Sequence, residues 1–147
     1  MSGPDVVVDT NIFVSARNPT EAGYDACRHL LDRIDAGRVR ALVSTVTVAE
    51  IRAGLEPAEV RAVWQAFLSH LLTSPNYSVV AVDVEIAETA GELRQHTTLS
   101  LPDALIVATA YVREAAAVVT QDRPLGHLQS MVRVCGPSEV GSGSKLR

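Results

Sequence analysis

The sequence predicts an α/β fold, a parallel sheet covered by helices on both faces, and three observations predict it. Short β-branched runs alternate along the chain with longer stretches of helical periodicity, the order that right-handed crossovers turn into a parallel sheet. The chain has 147 residues, the size of one domain. Of these 47% are apolar but only 4% aromatic, so Val, Leu, Ile and Ala must fill the interior, as they do between a buried sheet and its helices. The same composition excludes disordered and fibrous chains. The shortage of aromatics also excludes a single-strand binding platform built on stacked rings.

The run Asp5-Val-Val-Val-Asp9 reads as a strand buried on both faces, with Asp9 at its carboxyl end. Residues 21–36 form an amphipathic helix: Cys27, Leu30, Leu31 and Ile34 recur at i, i+3, i+4 and i+7, and Gly37 stands where it stops. Residues 41–43 make a second strand, after which Ser44 or Thr45 caps a helix carrying Val48, Glu50, Ile51 and Leu55. Pro57 suits the first turn of the next helix, where Val60, Val63, Trp64, Phe67, Leu68 and Leu71 form the broadest apolar stripe in the chain. Part of that stripe is expected to lie outside the monomer core. Residues 78–82 are strand-like, and the helix after Asp83 keeps Ile86, Ala90 and Leu93 on one side. Pro102 and Asp103 open a helix bearing Leu105, Ala108, Thr109 and Val112, the ring and the acid both suiting a first turn. A strand at 118–120, a turn at 121–124, a short segment at 125–129 and a last strand at 131–134 complete the series. Residues 1–140 are read as the domain and 141–147 as a polar, flexible tail outside it.

Cys27 and Cys135 are isolated and suggest no disulfide framework. The N-terminus has no basic region before an apolar run, and no apolar stretch approaches membrane-spanning length, so a soluble, cytoplasmic protein is expected. The 13 basic residues, 12 Arg and Lys145, face 17 acidic ones for a net charge of −4, which excludes a wholly basic electrostatic binder.

Four acids occupy equivalent places. Asp9 ends the first strand, Glu50 lies in the helix after the second, Asp103 is in a helix first turn, and Asp122 follows the strand ending at Thr120. Ligands of open parallel sheets bind beyond the carboxyl ends of the strands, where these carboxylates would converge. Grouped carboxylates repel unless a cation intervenes, and hard divalent ions such as Mg²⁺ or Mn²⁺ take oxygen ligands. Setting the four aside leaves 13 acids against 13 bases, so the whole excess charge could reside in one pocket. Phosphodiester hydrolysis is the chemistry that most needs such a pocket, because a metal ion both activates water and neutralises the scissile phosphate. Each acid alone has a simpler explanation: an Asx turn for Asp9, a solvated helix face for Glu50, a helix dipole for Asp103, a turn for Asp122. Their coincidence at one sheet edge is what argues for a site.

The segments Val-Val-Val-Asp9-Thr-Asn-Ile-Phe, Thr47-Val-Ala-Glu50-Ile, Leu101-Pro-Asp103-Ala-Leu-Ile-Val-Ala-Thr-Ala and Val118-Val-Thr120-Gln-Asp122 resemble, in order and spacing, the successive motifs of PIN-domain ribonucleases. The likeness is greatest to VapC-type toxins of bacterial toxin–antitoxin systems and runs from Asp5 to about Val134. The resemblance implies a single PIN-like domain with a parallel sheet of five strands, usually dimeric. It further implies a metal-dependent endoribonuclease in which Asp9, Glu50, Asp103 and Asp122 form the catalytic metal site for Mg²⁺ or Mn²⁺, with Asn11 and Thr120 as polar supports. Its partners would be an RNA substrate, a second copy and a small antitoxin, which rather than this chain would contact DNA. Where the family often has a further polar residue and an aromatic after the fourth acid, this chain has Leu125 and Gly126, a departure that bears on a second metal position and not the first.

Other classes fit less well. Nucleotide-binding glycine loops and the serine hydrolase elbow are missing. A phospho-acceptor domain needs an acidic pair after its first strand and a lysine after its last, and a haloacid-dehalogenase-like phosphatase needs an acid at position 11, which is Asn. A catalytically inactive PIN-like binding module and an RNA-processing nuclease that is not a toxin are the alternatives; retention of all four acids speaks against the first. His29, His70, His96 and His127 show no metal-ligand spacing and read as surface or packing residues. Arg17, Arg52 and above all Arg123 are candidates for holding phosphates.

Overall fold

The computed structural model describes residues 4–121 and 131–140. Strand β1 (Asp5–Val8) lies at the centre of a five-stranded parallel sheet. On one side it pairs with β2 (Arg40–Ser44), which pairs with β3 (Tyr77–Val80); on the other it pairs with β4 (Ala117–Val119), then β5 (Val134–Cys135). The order is therefore β3-β2-β1-β4-β5. The chain builds outward from β1 through β2 to β3 and then returns to β1's other flank, so the topological switch point falls between β1 and β4. Beyond the carboxyl ends of those two strands a crevice opens by construction.

Both faces of the sheet are covered, which is why the strand runs are continuously apolar rather than alternating. Val6 and Val8 point into one core with Ile12, Phe13, Cys27, Leu30 and Ile34, whereas Val7 points into the other with Ile86, Ala90, Leu93 and Ile106. Helices α1 (Thr10–Arg17) and α2 (Tyr24–Asp35) pack on the first face, and α6 (Val84–His96) and α7 (Leu101–Val112) on the second. Between them, α3 (Thr45–Ala53) follows β2 directly, with Ser44 as its cap accepting from Val46 N at 3.0 Å.

Helix α1 departs from the sequence expectation. The residues after Asp9 suggest only a turn, yet the Asp9 carboxylate caps a helix by accepting from Thr10 N at 2.7 Å. Eight residues carry too little intrinsic propensity to stand alone, and burial of Ile12, Phe13 and Ala16 is what holds them helical. This places α1 directly over the carboxyl end of β1. Helix α2 starts at Tyr24 rather than Glu21, because Asn18 Oδ1 accepts from both Thr20 N and Thr20 Oγ1 and bends 18–23 into a turn. The last strand is Val134–Cys135 rather than 131–134, the length that β4 can pair.

The stripe after Pro57 forms α4 (Pro57–Glu59), a π-helical turn (Val60–Trp64) and α5 (Gln65–Thr73) in uninterrupted succession. Only Leu71 of its six apolar residues is buried; Trp64 and Phe67 are half-buried against the core, and Val63 is 39% exposed. Among the described residues no helix is long and apolar enough to cross a membrane. Asp122, Arg123, His127 and the segment 125–129 lie outside the described residues, as does the 141–147 tail.

Candidate functional site

The site begins with Asp9, delivered by β1 to the switch point and held there by its capping role. Its side chain is 6% exposed. Oδ1 accepts from Thr10 N at 2.7 Å; Oδ2 accepts from Thr120 Oγ1 at 2.7 Å and from Asn11 Nδ2 at 3.4 Å. Thr120 Oγ1, having given its proton to Asp9, accepts from Asn11 Nδ2 at 3.1 Å, while Asn11 Oδ1 accepts from Gln121 N at 3.2 Å. The end of β4 and the first turn of α1 are thus stitched together around one carboxylate.

Burial raises the pKa of Asp9; the bonds from Thr120 and Thr10 oppose the rise, and the charges of Asp103 and Glu50 add to it. Asp103 sits half-buried in the first turn of α7, whose cap Ser100 accepts from Asp103 N at 3.3 Å. Glu50 lies exposed on α3, and its Oε1 accepts from Thr10 Oγ1 at 2.6 Å. One hydroxyl has one proton, so at 3.0 Å Thr10 Oγ1 is the acceptor for Thr47 Oγ1, giving a relay from Thr47 through Thr10 to Glu50. Three of the four expected acids therefore share one electrostatic neighbourhood, and the fourth, Asp122, is outside the described residues.

The donors are hard oxygens, and burial with like-charge repulsion is the condition a hard divalent cation relieves, so the residues fit such an ion. Among the described residues no three His, Cys, Asp or Glu side chains form a group able to enclose a metal by themselves.

Thr10, Thr47, Ser15 and Gln121 take part although the sequence does not single them out. Thr47 alone leaves a signal, three residues before Glu50 on the same helix face. Of the expected phosphate contacts, Arg17 Nη2 is paired with Glu59 Oε2 at 2.7 Å, and the Arg52 guanidinium lies over the Trp64 ring, 6.0 Å from its centroid. His70 pairs with Asp35 at 2.9 Å, well away from the acids in the sequence and on the far end of α5.

Next to the acids an apolar cavity of about 490 Å³ opens among α1, α2, α3 and the helical stretch after Pro57. Phe13, Leu31, Ile51, Trp64 and Phe67 line it, and Glu50 stands at its rim.

The fold has been seen before. The VapBC2 complex of Rickettsia felis, bound to a promoter DNA fragment, contains a chain with a TM-score of 0.68 at 19% identity, covering 90% of this chain and 98% of that one. A toxin–antitoxin complex from Klebsiella pneumoniae gives 0.67 at 23% identity, covering 90% and 97%. VapC20 of Mycobacterium tuberculosis, a toxin that cleaves the sarcin–ricin loop, gives 0.64 at 16% identity, covering 83% and 93%. At these identities the likeness is one of fold. Comparison with curated proteins gives no match in sequence. The model of the PIN domain family, however, matches residues 6–129, nearly the whole of the described fold, and on that ground this chain belongs to the PIN domain family.

Proposed function

We propose that this protein is a metal-dependent endoribonuclease of the VapC type, the toxin of a toxin–antitoxin pair. The observation that carries the reading is the buried Asp9 carboxylate at the switch point, held by Thr10, Asn11 and Thr120 and repelled by Asp103 and Glu50. Structural neighbours drawn from toxin–antitoxin complexes support the biological role.

Asp9, Asp103 and Asp122 would hold Mg²⁺ or Mn²⁺, with Glu50 beside them; when bound, such an ion neutralises the scissile phosphate and lowers the pKa of water. Thr120 and Asn11 keep one Asp9 oxygen oriented toward the crevice while Thr10 N holds the other. Thr10 occupies Oε1 of Glu50, which aims the carboxylate and leaves Oε2 to orient an attacking water or accept its proton. An acidic pocket of this kind repels an RNA backbone until its charge is compensated, so cleavage should depend on the ion throughout.

The apolar cavity supplies the partner's seat. An amphipathic antitoxin helix can bury its apolar face against Phe13, Trp64 and Phe67 and carry an Arg or Lys past the rim to Glu50 and Asp9, where a cation from the partner replaces the metal's charge. A second copy of the chain is also expected to associate, making the working unit a homodimer.

The deciding experiment incubates the purified protein with total cellular RNA, with and without Mg²⁺ or Mn²⁺, and maps the new ends. Discrete ends that need the ion and vanish in Asp9→Asn are expected. Full activity in excess EDTA, or unchanged cleavage by Asp9→Asn, overturns the reading.

A further inference from the structure

Asn11 has an ambiguous task. Its amide must turn Nδ2, not Oδ1, toward Asp9 and Thr120, and nothing in its own chemistry selects that orientation. The acceptor-only Asp9 carboxylate favours it from one side, and Gln121 secures it from the other, its backbone N–H donating to Asn11 Oδ1 at 3.2 Å. Gln121 stands two residues beyond β4, and its own side chain anchors it there. Nε2 donates at 2.8 Å to Ser15 Oγ, a buried hydroxyl one turn along α1 from Asn11. Oε1 lies against Gly23, at φ +90° in the turn that leads into α2, so closely that a Cβ on residue 23 would overlap it.

We propose that Gln121 is a positioning residue for the carboxylate site, clamped between Ser15 and Gly23, and that through it the α1–α2 turn sets the orientation of Asn11 and hence of Asp9. The clamp joins three separate stretches of chain. Ser15 fixes the far end of the side chain, Gly23 provides the space it fills, and the fixed backbone then presents its N–H to Asn11. Gly23 thus matters twice, for its positive φ and because a Cβ there would push the end of the Gln121 side chain out of its place. The inference rests on the metal-site reading above but concerns residues outside the acids.

The test uses the intact chain with Gln121→Ala, Ser15→Ala, Gly23→Ala and the double variant Gly23→Ala/Gln121→Ala. Three readouts are followed: Mn²⁺ affinity by titration, the side-chain amide resonances of Asn11, and RNA cleavage. Each single variant should weaken Mn²⁺ binding by about tenfold, the lower end of what losing a ligand's supporting partner costs. Each should also shift the Asn11 amide signals and lower kcat with KM for RNA little changed. In the double variant the Gly23 change should add no further loss of Mn²⁺ affinity, because the group it displaces is gone; its φ strain would remain visible only as lost stability. Additive losses of affinity, or Asn11 signals that stay in place in Gln121→Ala, overturn the proposal. Ser15→Ala serves where Gly23→Ala fails to fold. If the clamp variants shift Asn11 and weaken Mn²⁺ while no form of the protein cleaves RNA, the nuclease reading fails and the positioning role stands. Intact cleavage with an unmoved Asn11 overturns the positioning role and leaves the nuclease reading in place.

Discussion

Replacing Thr120 by Val keeps the shape of a side chain that is 1% exposed and removes one hydroxyl. That hydroxyl donates to Asp9 Oδ2 at 2.7 Å and accepts from Asn11 Nδ2 at 3.1 Å. A hydrogen bond to a charged group contributes roughly 1.5–3 kcal/mol, so near neutral pH the loss should be about 2 kcal/mol. For a domain of this size that is on the order of a 6 °C fall in thermal midpoint. The pH dependence distinguishes loss of this bond from simple loss of packing. Burial raises the folded pKa of Asp9 above its unfolded value, so Asp9 favours the fold below the unfolded pKa, and this contribution is lost as pH rises through the folded pKa. Thr120 is the foremost influence opposing that rise; without it the folded pKa climbs further, and the cost of the substitution grows with pH. Well below the ordinary aspartate pKa, where Asp9 is protonated in both states, only a neutral bond is lost and the cost should shrink to about 1 kcal/mol. Urea denaturation in EDTA at both pH values measures the difference. A cost that is the same at both, or below about 0.5 kcal/mol near neutrality, refutes the reasoning.

Asp9→Asn keeps the cap to Thr10 N and removes a buried charge but turns the acceptor of the Thr120 and Asn11 bonds into an NH2 group, so the two effects oppose each other and in EDTA near neutral pH its midpoint should change little, while RNA cleavage and stabilisation by added Mn²⁺ both disappear. Thr10→Val breaks the relay to Glu50 and should lower kcat roughly tenfold or more, as loss of an orienting partner does, with little change in RNA binding by fluorescence anisotropy. Val63→Glu puts a charge into the apolar cavity at a 39%-exposed position; stability should move by no more than about 0.5 kcal/mol, but capture of the antitoxin in pull-down should be lost while nuclease activity persists. Gly37 has φ +80° with Asn76 Oδ1 3.7 Å from where a Cβ would stand, so Gly37→Ala should cost about 1 kcal/mol in backbone strain by calorimetry and leave cleavage unchanged.

The local physics of this chain was legible in its sequence. Continuous Val runs announce strands buried on both faces, Ser44 and Asp83 announce helix starts, and Pro102-Asp103 announces a first turn; all four form as expected because each depends on neighbours within a few residues. For the same reason Asp9 could be placed at the end of the first strand, Glu50 on the helix after the second and Asp103 in a helix first turn. Helix α1 could not be read, since its few residues are helical only through burial against other elements. The meeting of Asn11 with Thr120, 109 positions apart, was implied by the family resemblance and not by local pattern, and that of Ser15 with Gln121, 106 apart, could not be read at all. Those contacts exist because β4 inserts beside β1 rather than beyond β3, and strand order leaves no periodic trace in either strand. The sequence by itself determined that Asp9 ends a strand and that Glu50 and Asp103 lie on helices. Only the tertiary structure decided that Asp9 is buried among hydroxyl and amide donors brought from the far end of the chain, because hydrogen bonds between distant side chains follow from packing and not from local preference.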